Sequence, residues 1–298
     1  MATTKIEWAT HTMNDQAGCT KVSPACTHCY ALLQSVRIGN MGDHARYKDV
    51  TNGSMKIPAW SGKVNCDLDA RRRNFTEIRG AAVSRYTFYG SMTDLWHESL
   101  AIDGEVLQVL AEEVEKLRTG CRVPQVVMFL TKRTDRLLAW QRHHFPKGLP
   151  DQVWVGATVE DQARADERIP VLTQVDARVR YLSCEPLLGP IDLGGLDPLE
   201  VLQNLEWVIV GGESGRSARP TDPMWVRELR DQSKEAGIPF HFKQWGEWGE
   251  TGERVGKKKA GRELDGRTWD ENPPLERVIL FPTPSTLSPI PPMAASGA

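Results

Sequence analysis

No apolar run in these 298 residues approaches the roughly 20 that cross a bilayer, which excludes a membrane-spanning helix. The stretch Met1–Ala9 lacks the charged-then-apolar layout of a secretory signal. Both absences point to the cytoplasm, a reducing compartment in which six cysteines serve as metal-binding, catalytic or buried thiols and not as disulfides. Charge of one sign is also missing. A formal net charge of −2 argues against a protein coated in basic surface for non-specific nucleic-acid binding. The local basic clusters, Arg71-Arg72-Arg73, Arg216 with Arg219, and Lys257-Lys258-Lys259, read as solvated faces and leave nucleic acid open as a substrate. No internal repeat is present, and no second Cys-x2-Cys pair, which weighs against a zinc ribbon.

What is there alternates from residue 83 to about 246. Short β-branched or aromatic runs (Arg85–Gly90, Gln125–Leu130, Val153–Ala157, Val179–Leu182, Trp207–Val210, Pro239–Phe242) lead into polar loops and then, in several cases, helical spacing. Ile102–Leu117 sets Val106, Leu107, Leu110, Val114 and Leu117 on one stripe, with a helix start in Ser99–Asp103. Trp225–Ala236 reads the same way, stopped by Gly237. This order predicts an α/β fold with a parallel sheet. All six runs end in polar or charged residues, which favours a full or partial (β/α) barrel, because a barrel opens every strand end onto one mouth. The divisions that follow are a cysteine-bearing segment over 1–80 that covers the mouth, a barrel core over 81–250, an extension over 251–280 and a disordered Pro/Ser/Ala-rich tail over 281–298.

The strongest chemical signal is Cys19-x6-Cys26-x2-Cys29. Three thiolates on one loop can converge on one metal centre, and two centres compete. A structural zinc needs four closed ligands, so His28, His11 or His44 would supply the fourth. A four-iron cluster held by three cysteines leaves one iron open, where S-adenosylmethionine can bind and be cleaved to a 5′-deoxyadenosyl radical. Cys66, Cys121 and Cys184 stand alone. The first two read as ordinary buried thiols, while Cys184 sits at a strand end where a functional role is open.

The chain resembles the phage-associated three-cysteine-motif family, a group related to radical S-adenosylmethionine enzymes. The matching segments are Thr4–Trp8, Gly18–Pro24, Cys26-x-x-Cys29-Tyr30, Leu130–Arg133, Asp166–Pro170, Ser183–Ile191, Val210–Gly215, Ala218–Pro220, Phe242–Gly246 and Leu264–Trp269. The likeness covers nearly the whole chain and departs most over Trp60–Arg79. Radical enzymes of the common type space the cysteines x3 and x2, so the first gap here is longer by three.

The resemblance implies a 4Fe-4S cluster on Cys19, Cys26 and Cys29, with S-adenosylmethionine held by the strand ends. Ser91, Thr93 and Asp94 would meet its amine, Thr158 and Glu160 its ribose, and Gly211 with Gly212 its adenine. Lys132, Arg133, Glu185, Glu213, Arg219, Lys243 and Gln244 are left for substrate, with Lys132, Arg133, Glu185 and Lys243 as the catalytic candidates. Trp8, Trp96, Trp245 and Trp248 read as packing, with one of them available to stack on a base. The implied activity is isomerisation of N-linked glycyl-thymidine to the C-linked form, during the thymidine hypermodification by which phage DNA evades restriction. Its implied partners are modified DNA or a nucleoside and an external electron donor. The alternatives are a zinc-stabilised, non-catalytic module for nucleic acid or protein, and a radical enzyme repairing nucleic-acid lesions.

Overall fold

The computed structural model describes residues 2–42, 44–195 and 202–273. Its strands are β1 (Ala2–Thr3), β2 (His11–Met13), β3 (Gln16–Ala17), β4 (Asn65–Cys66), β5 (Tyr86–Tyr89), β6 (Val126–Thr131), β7 (Val153–Thr158), β8 (Val179–Cys184), β9 (Trp207–Gly211) and β10 (Phe240–Gln244). The helices are α1 (Tyr30–Asn40), α2 (Leu68–Gly80), α3 (Glu105–Glu115), α4 (Leu117–Gly120), α5 (Thr134–His144), α6 (Gln162–Leu172), α7 (Pro223–Glu235) and α8 (Lys257–Ala260). Seven strands, β2 and β5 to β10 in chain order, pair in parallel, and β1 adds antiparallel to β2. Among the described residues β10 and β2 do not pair, so the curled sheet is a half-barrel: the partial (β/α) barrel of the sequence reading.

Side chains alternate across this sheet. One set, including Val127, Phe129, Val155, Leu182, Val208, Val210 and Phe242, packs with α3, α5, α6 and α7 in the main core. The other set fills the concave face with Tyr86, Phe88, Met128, Trp154, Tyr181, Trp207 and Ile209, and Trp8 from the β1–β2 connection plugs it. Aromatic edges run in series there, Tyr86 to Trp154 at 5.7 Å, Trp154 to Trp207 at 6.1 Å and Trp207 to His241 at 5.9 Å. A Cβ on Gly156 would stand 2.4 Å from the Tyr181 ring, so glycine is what lets that ring lie across β7.

The structure corrects several sequence expectations. Helix α3 starts at Glu105 with Gly104 as its N-cap, later than Ser99–Asp103, because the chain first turns on the Gly104 N–H to Ala101 carbonyl bond. Segment 1–80 holds more than a cover: β2 lies in the main sheet, and α1 and α2 are helices of 11 and 13 residues. Arg71 is no solvated side chain but fully buried, donating to Asp15 Oδ1 at 2.8 Å and to the Val106 carbonyl at 2.6 Å. Cys184 points into the helix-facing core, where burial pushes its thiol far above the ordinary range. Cys66 and Cys121 are only half-buried, yet burial still pushes both up to about 11. The described end of the chain packs along β10, with Phe242 N–H bonded to the Trp269 carbonyl at 2.9 Å and Leu264 and Trp269 buried. The expected tail over 281–298, with 274–280 of the extension, lies outside the described residues.

Candidate functional site

Parallel pairing puts the C-terminal ends of β2 and β5 to β10 on one rim, and the cysteine loop lies across it. Gly18, at φ +100°, turns the chain out of β3; a Cβ there would stand 2.1 Å from the Lys63 carbonyl oxygen. The Thr93 hydroxyl donates to the Gly18 carbonyl at 2.6 Å, fixing the start of the loop to the end of β5.

Three further anchors come from three other strands. Beyond β6, Arg133 donates to Thr20 Oγ1 at 2.7 Å and reaches Cys19 Sγ at 3.9 Å. Beyond β7, Glu160 Oε1 accepts the Ala25 N–H at 3.2 Å, in the 3-10 turn Pro24–Cys26. Beyond β9, Glu213 Oε2 lies 3.2 Å from His28 Nδ1. Each anchor is itself braced. Arg133 is held by Asp94 at 3.0 Å and Glu98 at 2.6 Å, Glu160 by Arg168 at 3.0 Å, and Glu213 by Arg219 through Nε at 2.8 Å and Nη2 at 2.5 Å. Burial works against the Glu98 carboxylate, but hydrogen bonds from Thr20 and Arg133 outweigh it and bring its pKa down to about 2. Glu213 is likewise lowered, its desolvation offset by Arg219 and His28.

Beneath the loop, Lys132 Nζ donates to Thr158 Oγ1 at 3.2 Å and has no carboxylate partner among the described residues. Lys243 Nζ sits 2.8 Å from Glu185 Oε1, and Glu185 Oε2 accepts from Trp8 Nε1 at 3.1 Å and Ser183 Oγ at 3.2 Å. Burial alone would lower the Lys243 pKa; the Glu185 charge and hydrogen bond raise it instead.

The residues assigned in the sequence to S-adenosylmethionine and to substrate therefore lie along this rim, but not in equal standing. Of the seven assigned to S-adenosylmethionine, Ser91 and Thr93 are half-buried and the other five buried. Asp94 accepts from Thr131 Oγ1, Trp96 N, Lys132 N and Arg133 Nη1 at 2.7 to 3.2 Å, which uses the four acceptor positions of a carboxylate. Gly211 faces Glu185 Oε1 and Gly212 faces the Trp245 carbonyl, where a Cβ would meet them at 2.8 and 1.9 Å. Protein already occupies the space those two glycines leave. Gln244 Nε2 donates to the Gly212 carbonyl at 2.9 Å. Trp8, Trp96 and Trp245 are at most 2% exposed, and Trp248 is tied to the Ala218 carbonyl at 2.9 Å. The bracing residues Thr20, Glu98 and His28 were not singled out for this role: the partners they brace lie 35 to 185 residues away, which leaves no spacing signal.

The three thiols fit a cluster as a donor set. Each is a free, half-buried cysteine, and Cys19 faces the Arg133 guanidinium. Burial, the largest influence, pushes the Cys19 thiol up to about 11, with Asp94 adding to the rise and Arg133 opposing it. Among the described residues no three His, Cys, Asp or Glu side chains are gathered as around a single ion. A cluster puts each thiolate on a different iron and spreads them, whereas zinc draws four ligands to within about 2.0–2.3 Å of one point. Of the histidines weighed as a fourth ligand, His11 starts β2, at the far end from the rim. Among the described residues His28 Nε2 has no hydrogen-bond partner, while Glu213 takes Nδ1.

A family model described as "Protein of unknown function (DUF5131)" matches residues 3–273, and the chain belongs to that family. No curated protein and no solved structure matches the chain.

Proposed function

We propose that this chain is a radical S-adenosylmethionine enzyme that isomerises N-linked glycyl-thymidine to the C-linked form in phage DNA hypermodification, drawing its electron from an external donor. One observation carries the reading: a three-cysteine loop is braced from four strand ends above a rim holding Lys132 and the Lys243–Glu185 pair. Cys19, Cys26 and Cys29 would hold a 4Fe-4S cluster whose open iron, with S-adenosylmethionine, supplies one-electron chemistry able to remove hydrogen from carbon.

The chain's own residues do the rest. Lys132, a cation without a carboxylate partner among the described residues, binds the substituent carboxylate and orients the carbon to be attacked. Lys243 and Glu185 hold a proton between Nζ and Oε1, within reach of a substrate amine. Arg133 acts by fixing the loop, as do Thr93, Asp94 and Glu160. Ser91, half-buried just beyond β5 with its hydroxyl hydrogen-bonded to the Asn14 side chain, has one acceptor position left for the cofactor amine.

The test is anaerobic reconstitution with iron and sulfide. The expected result is a brown protein with about four irons per chain, lost in Cys19→Ala, Cys26→Ala and Cys29→Ala, that converts S-adenosylmethionine to 5′-deoxyadenosine under strong reductant. Stoichiometric zinc without iron would overturn it. That outcome belongs to the second reading, a zinc-stabilised binding module, which the open Nε2 of His28 favours, since metal-bound imidazoles commonly give their other nitrogen to a carboxylate. If cleavage occurs but glycyl-thymidine DNA is untouched, the substrate assignment fails and the enzyme class stands.

A further inference from the structure

The tryptophans weighed as stacking platforms are tied up in packing and hydrogen bonds, and one tyrosine is not. Tyr30 is the only exposed Phe, Tyr or Trp among the described residues, at 60%. Exposing a large aromatic surface to water costs free energy unless something covers it. Nor is this ring a mobile surface side chain. Its backbone opens α1 directly after Cys29, and its hydroxyl donates to the Ser91 carbonyl at 2.5 Å, at the end of β5. The ring is thus fixed at both ends and spans from the cysteine loop to the rim. Among the described residues no aromatic ring stacks on Tyr30.

We propose that Tyr30 is the platform on which a nucleobase stacks inside the mouth. A flat ring held in place costs little ordering on binding and accepts any base, because every base offers a π-face. The inference deepens the proposed function by giving its nucleobase a surface. It does not depend on iron: a colourless protein would sink that reading and leave this one standing.

The base can belong to a bound nucleoside cofactor or to a nucleic-acid substrate, so two probes are used. Equilibrium dialysis of the purified full-length chain with adenosine, and separately with single-stranded oligothymidylate, is compared for wild type, Tyr30→Phe and Tyr30→Leu. Loss of one base–aromatic stack weakens at least one probe by about tenfold in Tyr30→Leu, while Tyr30→Phe stays within about threefold. Dependence on adenosine alone assigns the base to a cofactor, and dependence on oligothymidylate alone assigns it to the substrate. The inference is overturned if wild type binds neither probe, if Tyr30→Leu binds both as wild type does, or if Tyr30→Phe loses as much as Tyr30→Leu. Unchanged circular dichroism and melting temperature guard against misfolding as the cause.

Discussion

His241 lies edge-on to Trp207 on the concave face, 2% exposed, and neither ring nitrogen has a hydrogen-bond partner among the described residues. Burial lowers its pKa to about 3, and the Arg262 and Lys243 charges add to the effect. The folded protein therefore keeps the ring neutral, while the unfolded chain takes up a proton below about 6.5. Stability from this group is complete above that value and drains away as pH falls towards the folded pKa. Between pH 7 and pH 5 the loss is about 2 kcal/mol, and His241→Phe should remove that part of the slope in urea denaturation followed at both pH values. An equal slope in the variant would count against it. At this scale the sequence was legible where spacing speaks, as for Cys19, Cys26 and Cys29. It was silent where a role arises from long-range contact. Neither the orphaned ring of His241 nor the burial of Arg71 against Asp15 leaves a mark in local sequence.

The six runs that sequence offered as strands all form strands, with no end shifted by more than two residues. They were legible because both faces of a covered parallel sheet are apolar, so each reads as a short hydrophobic run between polar loops. Strand β2 was hidden because three residues carry no period, and α2 because its buried face includes an arginine. The cysteine loop was visible as a motif but not as a braced element. Its bracing predicts an effect for a residue the sequence reading set against a ligand. Asp94→Ala leaves Arg133 without its buried partner, at a cost of about 3–5 kcal/mol by urea titration. It should also speed amide exchange across residues 18–30 while β9 and β10 keep their protection. Unaltered exchange in the loop would mean that Arg133 is not what holds it.

As a whole the molecule is an open half-barrel, and its exposed flanks need cover. On one side β1 adds two residues to β2; on the other the stretch reaching Glu271 lies against β10, with Trp207 Nε1 donating to the Glu271 carbonyl at 2.8 Å. Trp269 is buried beneath Arg267, whose guanidinium carbon is 3.6 Å from the ring centroid. Removing residues 262–298 should therefore expose the β10 edge and the apolar patch under Leu264 and Trp269, giving concentration-dependent association in light scattering. A truncated chain that stays monodisperse and keeps its melting temperature would show that this cover is dispensable.

The braces of the cysteine loop also set an order in time. A ribosome delivers the chain from its N-terminus, so the three thiols emerge long before the side chains that secure them. Thr20 waits 113 residues for Arg133, Ala25 waits 135 for Glu160, and His28 waits 185 for Glu213. Until the residues just beyond β9 have been synthesised, the loop lacks its last brace. On the proposed reading, loading of a cluster at the finished site would therefore belong to the completed protein.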